Sequence, residues 1–207
     1  MTIIAIEGVD GVGKTTLCDQ LKSYFGNNCC TIVSSPSKTL PIGKLIRKEF
    51  HDREGMFSPL SNSGKLLLED YLHKAAILEN CFLINQLSET YPLILLDRWI
   101  YSFYAYARTE EFDYVDHNFF AHSPFYWLSE VPVIYIDPPS KSVLKERMMQ
   151  RDNPTIDDLA FDKIFQRHGK FLKVLDYLVP NHHIRVSTPL VQKELKDVLR
   201  FINQNEQ

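Results

Sequence analysis

The chain has 207 residues, 44% hydrophobic and 24% charged, with a formal charge of −3. That balance excludes disorder and fibrous repeats, and it leaves no basic field to hold a nucleic-acid polymer or an anionic membrane. The longest apolar runs fall far short of the roughly 18 residues that a membrane span needs, so one α/β domain over residues 1–207, neither inserted nor secreted, is expected.

Strand and helix signals alternate from end to end, the pattern of a parallel sheet covered by helices on both faces. Residues 1–7 read as the first strand. After Gly13, the residues Leu17, Leu21, Tyr24 and Phe25 fall on one helical face, and Gly26 supplies the stop. Residues 29–33 form the next strand, broken by Ser34-Ser35-Pro36, after which Ile42, Leu45, Ile46 and Phe50 recur at helical spacing. A long helix over 62–90 follows. Leu93-Ile94-Leu95-Leu96-Asp97 is a short apolar run closed by a carboxylate, as in a central parallel strand whose carboxyl end faces a site. Residues 131–136 give a similar strand, 140–150 a helix, 151–158 a polar connection and 159–178 a helix. Residues 182–186 and 190–202 give the last strand and helix. Cys18, Cys29, Cys30 and Cys81 show neither a CxxC pair nor zinc spacing, and read as reduced thiols of a cytoplasmic protein.

Gly8-Val9-Asp10-Gly11-Val12-Gly13-Lys14-Thr15 satisfies GxxxxGK[ST] between an apolar strand and a helix, which is the P-loop context. Backbone N–H groups across Gly8, Gly11, Val12 and Gly13 wrap phosphates, the helix presents its positive end, and Lys14 adds a cation at the β/γ-phosphates of ATP. The Thr15 hydroxyl suits Mg²⁺, and Thr16 can hydrogen-bond a phosphate oxygen. Asp97 closes a strand of Walker-B type and is expected to hold Mg²⁺ or to orient the acceptor. Together these features specify a P-loop NTPase fold with a central five-stranded parallel sheet.

The run Asp97-Arg98-Trp99-Ile100-Tyr101-Ser102-Phe103-Tyr104-Ala105-Tyr106 resembles the thymidylate kinase signature DR[YH]xxSxxAY, with Trp99 in the aromatic position. Ile6-Glu7-Gly8-Val9-Asp10 leading into the P-loop strengthens the likeness, as does Pro36 followed by Ile42-Gly43-Lys44-Leu45-Ile46-Arg47, similar to the family's acceptor-phosphate segment. Glu146-Arg147 and Arg151 resemble the approach to a short lid over 150–158. The resemblance implies a nucleoside monophosphate kinase using ATP and Mg²⁺, with small nucleotides as its partners and a homodimeric assembly. It implies that Arg98 and Arg47 clamp the acceptor phosphate beside Pro36 and Ser102, that Asp10 faces the acceptor sugar, and that Tyr106 crowds its 2′ position.

Three departures stand out. Gly11 occupies a place where some family members carry an arginine. The segment 152–158 contains no basic residue, which makes Arg151, four residues after Arg147 and on the same helical face, the expected transition-state cation, with Arg167 as the second choice. The family's F-x-x-x-R pair on the long helix is missing: by position it falls at Leu68 and Leu72, or at Leu72 and Ala76. Tyr71 and His73 are the nearest side chains that can meet the base. The expected acceptor is therefore dTMP, with a 5-modified dUMP such as 5-hydroxymethyl-dUMP as the alternative. A deoxynucleoside kinase, which usually shows ERS in place of Asp97-Arg98-Trp99, and a P-loop switch are the remaining readings.

Overall fold

A computed structural model describes residues 1–51, 61–106, 125–128, 130–150, 161–187 and 192–205. Five strands, β1 (Thr2–Glu7), β2 (Cys30–Ser34), β3 (Leu93–Asp97), β4 (Val133–Ile136) and β5 (His183–Val186), form one sheet in the order β2-β3-β1-β4-β5. Every pairing is parallel. The central strands are buried along nearly their whole length, as continuous apolar runs must be when both sheet faces are covered.

The helices are α1 (Lys14–Phe25), α2 (Pro41–Ile46), α3 (Asn62–Leu87), α4 (Ile100–Tyr106), α5 (Lys141–Met149), α6 (Phe161–Leu178) and α7 (Gln192–Gln204). Gly26 ends α1 with a positive φ of 89°, its N–H donating to Lys22 O at 2.9 Å. Ser61 caps α3 and Ser140 caps α5 through their side-chain oxygens. The helical periodicity through residue 50 is one element by sequence but two in space: α2 stops at Ile46 and continues as a π-helical turn, Arg47–His51. The seven-residue α4, which the apolar-period reading does not separate from the signature motif, follows β3 after a sharp turn at Arg98. No described helix is long and apolar enough to cross a membrane.

The strand order fixes where a ligand can sit. From β1 the chain crosses to β2 on one side, and from β3 it crosses to β4 on the other, so the carboxyl ends of the neighbouring strands β1 and β3 border the switch point. Their register pairs Ile6 with Asp97 and β2 pairs Ser34 with the same Asp97, which brings the P-loop, the signature motif and the segment before Pro36 to one edge. Trp99 and Tyr101 anchor this edge from below. Both are fully buried, and they donate to Leu128 O (Nε1, 2.8 Å) and Val131 O (Oη, 2.7 Å).

Candidate active site

The P-loop leaves β1 through backbone that only glycine adopts readily. Gly11 has φ +81°, and a Cβ there would lie 2.9 Å from both Leu144 Cδ1 and Met148 Cγ of α5. A side chain at this place would have to displace the Leu144 and Met148 side chains and hold a positive φ, which disfavours an arginine there. Gly8 is equally confined, with Ile136 O 2.8 Å from a hypothetical Cβ. Gly13 precedes the first turn of α1, leaving the helix's unpaired N–H groups facing the loop.

Lys14 is 7% exposed and donates to Gly8 O at 2.9 Å and Val9 O at 2.8 Å. Burial, then the nearby Arg98 charge, pushes its amine down to about 7 against the pull of Asp10, Asp97 and Glu7. Thr15 Oγ1 donates to Asp97 Oδ2 at 2.7 Å. That oxygen pair beside the P-loop is a hard donor set of the kind Mg²⁺ takes when it also binds phosphates, so the residues present fit the ion. Val12 is buried, whereas Thr16 is exposed one residue beyond Thr15.

Asp10 is the hub of the site. One carboxylate oxygen is bonded to Arg98 Nη2, and the other accepts the Tyr106 hydroxyl at 2.6 Å and lies 3.9 Å from Arg167 Nη1. Burial alone would raise its pKa. The Arg98, Lys14 and Arg167 charges and the Tyr106 hydroxyl outweigh that and hold the carboxyl well below the usual range. The guanidinium carbons of Arg98 and Arg167 lie 5.2 Å and 4.5 Å from the centroid of the Tyr106 ring. Arg98 also donates from Nη1 to Ser102 Oγ at 3.0 Å and more weakly to Gly8 O at 3.3 Å. Arg47 reaches the same edge from the π-helical turn, its Nη2 donating to Pro36 O at 2.7 Å. Arg98, Arg167, Lys14 and an ionised Asp10 thus meet at the carboxyl ends of β1 and β3, with Arg47 held on Pro36 O beyond β2, a set of cations suited to gripping phosphates.

Tyr71, expected at the acceptor base, is 62% exposed, with Lys74 Nζ 5.8 Å from its ring centroid. His73 faces α4 instead: its ring meets Phe103 at 6.5 Å between centroids and its Nδ1 is 2.8 Å from Glu69 O. One turn on, Ile77 is buried core, so that helix face carries a histidine and an apolar residue rather than an aromatic and an arginine. Arg147 is half-buried near the end of α5, and Arg151 lies outside the described residues.

The contacts of two further residues, Arg167 and Glu7, are not encoded by a local motif. Arg167 sits on α6, far along the chain, and only the packing of α6 on α4 delivers it to Asp10. Glu7 is fully buried, and its carboxylate accepts from Trp99 N, Ser102 N and Ser102 Oγ. A lone charge in an apolar strand is the signal that could have found it, because such a charge must be paired.

The thymidylate kinase family model matches residues 6–195. The chain is 30% identical over 181 residues to a probable thymidylate kinase of Thermococcus kodakarensis, covering 81% of this chain and 78% of that protein. It is 29% identical over 218 residues to a probable thymidylate kinase of Thermococcus gammatolerans, covering 97% and 95%. Its fold is shared with a thymidylate kinase structure from Candida albicans at a TM-score of 0.65 and 20% identity, over 100% of this chain and 93% of that one.

Proposed function

The chain belongs to the thymidylate kinase family, a nucleoside monophosphate kinase converting dTMP to dTDP, and we propose how its own residues carry that reaction. ATP lies with its phosphates in the loop from Gly8 to Thr16, where backbone N–H groups, the α1 N-terminus and Lys14 take up their charge. Thr15 and Asp97 would hold Mg²⁺, which would neutralise charge on the donor phosphates. The acceptor phosphate lies between Arg98 and Arg47, and its sugar against Asp10 and Tyr106. The γ-phosphoryl group then passes in line to an acceptor-phosphate oxygen, with no covalent enzyme intermediate.

The observation that carries this assignment is the convergence of Arg98, Tyr106 and the P-loop residue Asp10 at the switch point. A nucleotide-dependent switch needs the phosphate cradle but has no use for a second cationic grip beside it. Arg151, at the edge of the segment 151–158, supplies the transition-state cation, and Arg147, near the end of α5, is directed to ATP. For the base, the position of His73 against Phe103 supports a pocket made by α3 and α4, without the charged hydrogen bond of an arginine.

Assembly and location complete the reading. Leu67, Tyr71 and Phe82 are exposed on one face of α3, each about 60% accessible, and this apolar stripe supports packing of a second copy, as the resemblance implies. All four thiols are free, which supports a reducing, cytoplasmic setting. The test of function is ADP formation from ATP with dTMP, dUMP, 5-hydroxymethyl-dUMP, dCMP, dGMP, dAMP and thymidine under one set of conditions. The highest kcat/KM is expected for dTMP. A purine winning by about tenfold, roughly 1.4 kcal/mol, or turnover only on the nucleoside, overturns the assignment.

A further inference from the structure

Glu7 ends β1, a strand whose other five residues carry no charge. Its burial would be costly unless its oxygens were filled, and they are. Oε1 accepts the backbone N–H of Trp99 at 2.7 Å and of Ser102 at 3.1 Å, and Oε2 accepts the Ser102 hydroxyl at 2.6 Å. These donors follow directly on Arg98, whose Nη1 donates to the same Ser102 Oγ. Arg98 has φ 72°, the only positive φ among the described non-glycine residues. That left-handed conformation costs about 1–2 kcal/mol, and it persists where the surroundings over-determine it. Glu7 fixes both the peptide that follows the strained residue and the hydroxyl that its guanidinium meets.

We propose that Glu7 is a positioning residue for Arg98: its carboxylate holds the left-handed turn after β3 and, through Ser102, aims the guanidinium at the acceptor phosphate. The inference rests on Arg98 being the acceptor clamp. Three donors converge on two oxygens, so the side chain must be acceptor-only. Burial pushes the carboxyl up, but Arg98, Ser102, the Trp99 N–H and Lys14 pull the other way. A glutamine at this position keeps the volume and can still accept both N–H bonds. Its amide would turn an N–H toward Ser102 Oγ, which already accepts from Arg98, and the relay would reverse.

The test is a double-mutant cycle of wild type, Glu7→Gln, Arg98→Ala and the double variant, scored by KM and kcat for dTMP and by the affinity of a fluorescent ATP analogue. Glu7→Gln should raise the dTMP KM by about tenfold, leave analogue binding within about twofold, and cost nothing further once Arg98 is alanine. Losses that add in the double variant, or a wild-type dTMP KM in Glu7→Gln, overturn the proposal. An Arg98→Ala enzyme with unchanged dTMP KM overturns the clamp itself, which separates the two failures. Should Glu7→Gln fail to give a native circular dichroism spectrum, Ser102→Ala takes its place in the cycle. It removes the relay hydroxyl but leaves both N–H bonds to Glu7, and the same outcomes decide.

Discussion

Because Lys14 titrates near 7 when no phosphate is bound, ATP binding should be coupled to proton uptake. With the amine at about 7, roughly nine-tenths of the free protein would carry an uncharged Lys14 at pH 8. Bound β/γ-phosphates favour the ammonium and return its pKa toward the ordinary lysine value of about 10.4. The bound state therefore holds more protons than the free state, and affinity falls as pH rises through the free-enzyme value. The protonated fraction of free Lys14 drops from about one half at pH 7 to about one hundredth at pH 9, so ATP binding should weaken by about fiftyfold, or roughly 2.3 kcal/mol. Calorimetric titration at pH 8 in two buffers of different ionisation enthalpy should report uptake of about 0.9 proton per ATP bound. Lys14→Ala should abolish that uptake and slow turnover by about two orders of magnitude. No proton uptake, with affinity flat from pH 7 to 9, would refute the reasoning.

Arg98→Ala should spare ATP affinity but weaken dTMP by about tenfold to a hundredfold, the worth of one lost charge-assisted hydrogen bond; equal losses for both ligands in calorimetry would contradict the assignment. Gly11→Ala places a methyl group against Leu144 and Met148 at φ +81°, and a cost of about 1–2 kcal/mol should lower Tm by about 2–8 °C. An unchanged melting curve would show that neither the positive φ nor the Leu144 and Met148 side chains resist a Cβ at this place. Arg151→Ala should lower kcat far more than it raises either KM, and if kcat is unchanged while Arg167→Ala lowers it, the transition-state role belongs to Arg167 on α6.

Features encoded by contiguous residues were legible in the sequence. The strand at 93–97 is found at those bounds, because a buried parallel strand is an unbroken apolar run, here closed by Asp97. Gly13 and Gly26 mark the ends of α1 through conformations that other residues resist. What depends on helix rotation was not legible. Tyr71 and His73 are two residues apart and so point about 200° away from each other on a helix; only the packing of α3 on α4 decides that His73 meets Phe103. The conversion of α2 into a π-helical turn at Arg47 shifts the periodicity without leaving a composition signal. Arg167 reaches Asp10 by a contact spanning most of the chain, which no local pattern encodes.

The pairing of Ile6 with Asp97 has an evolutionary consequence. A one-residue slip between β1 and β3 would carry Asp97 about 3.3 Å along the sheet and turn its side chain to the opposite face. Insertions and deletions in those strands are therefore all-or-nothing, and the machinery that handles the transferred phosphate has no graded intermediates through which to drift. The helices α3 and α4 hang from that seam by side-chain packing, where one substitution alters one contact. A substitution at His73, which meets Phe103 across that packing, therefore alters one contact and leaves the strand register beneath it unchanged.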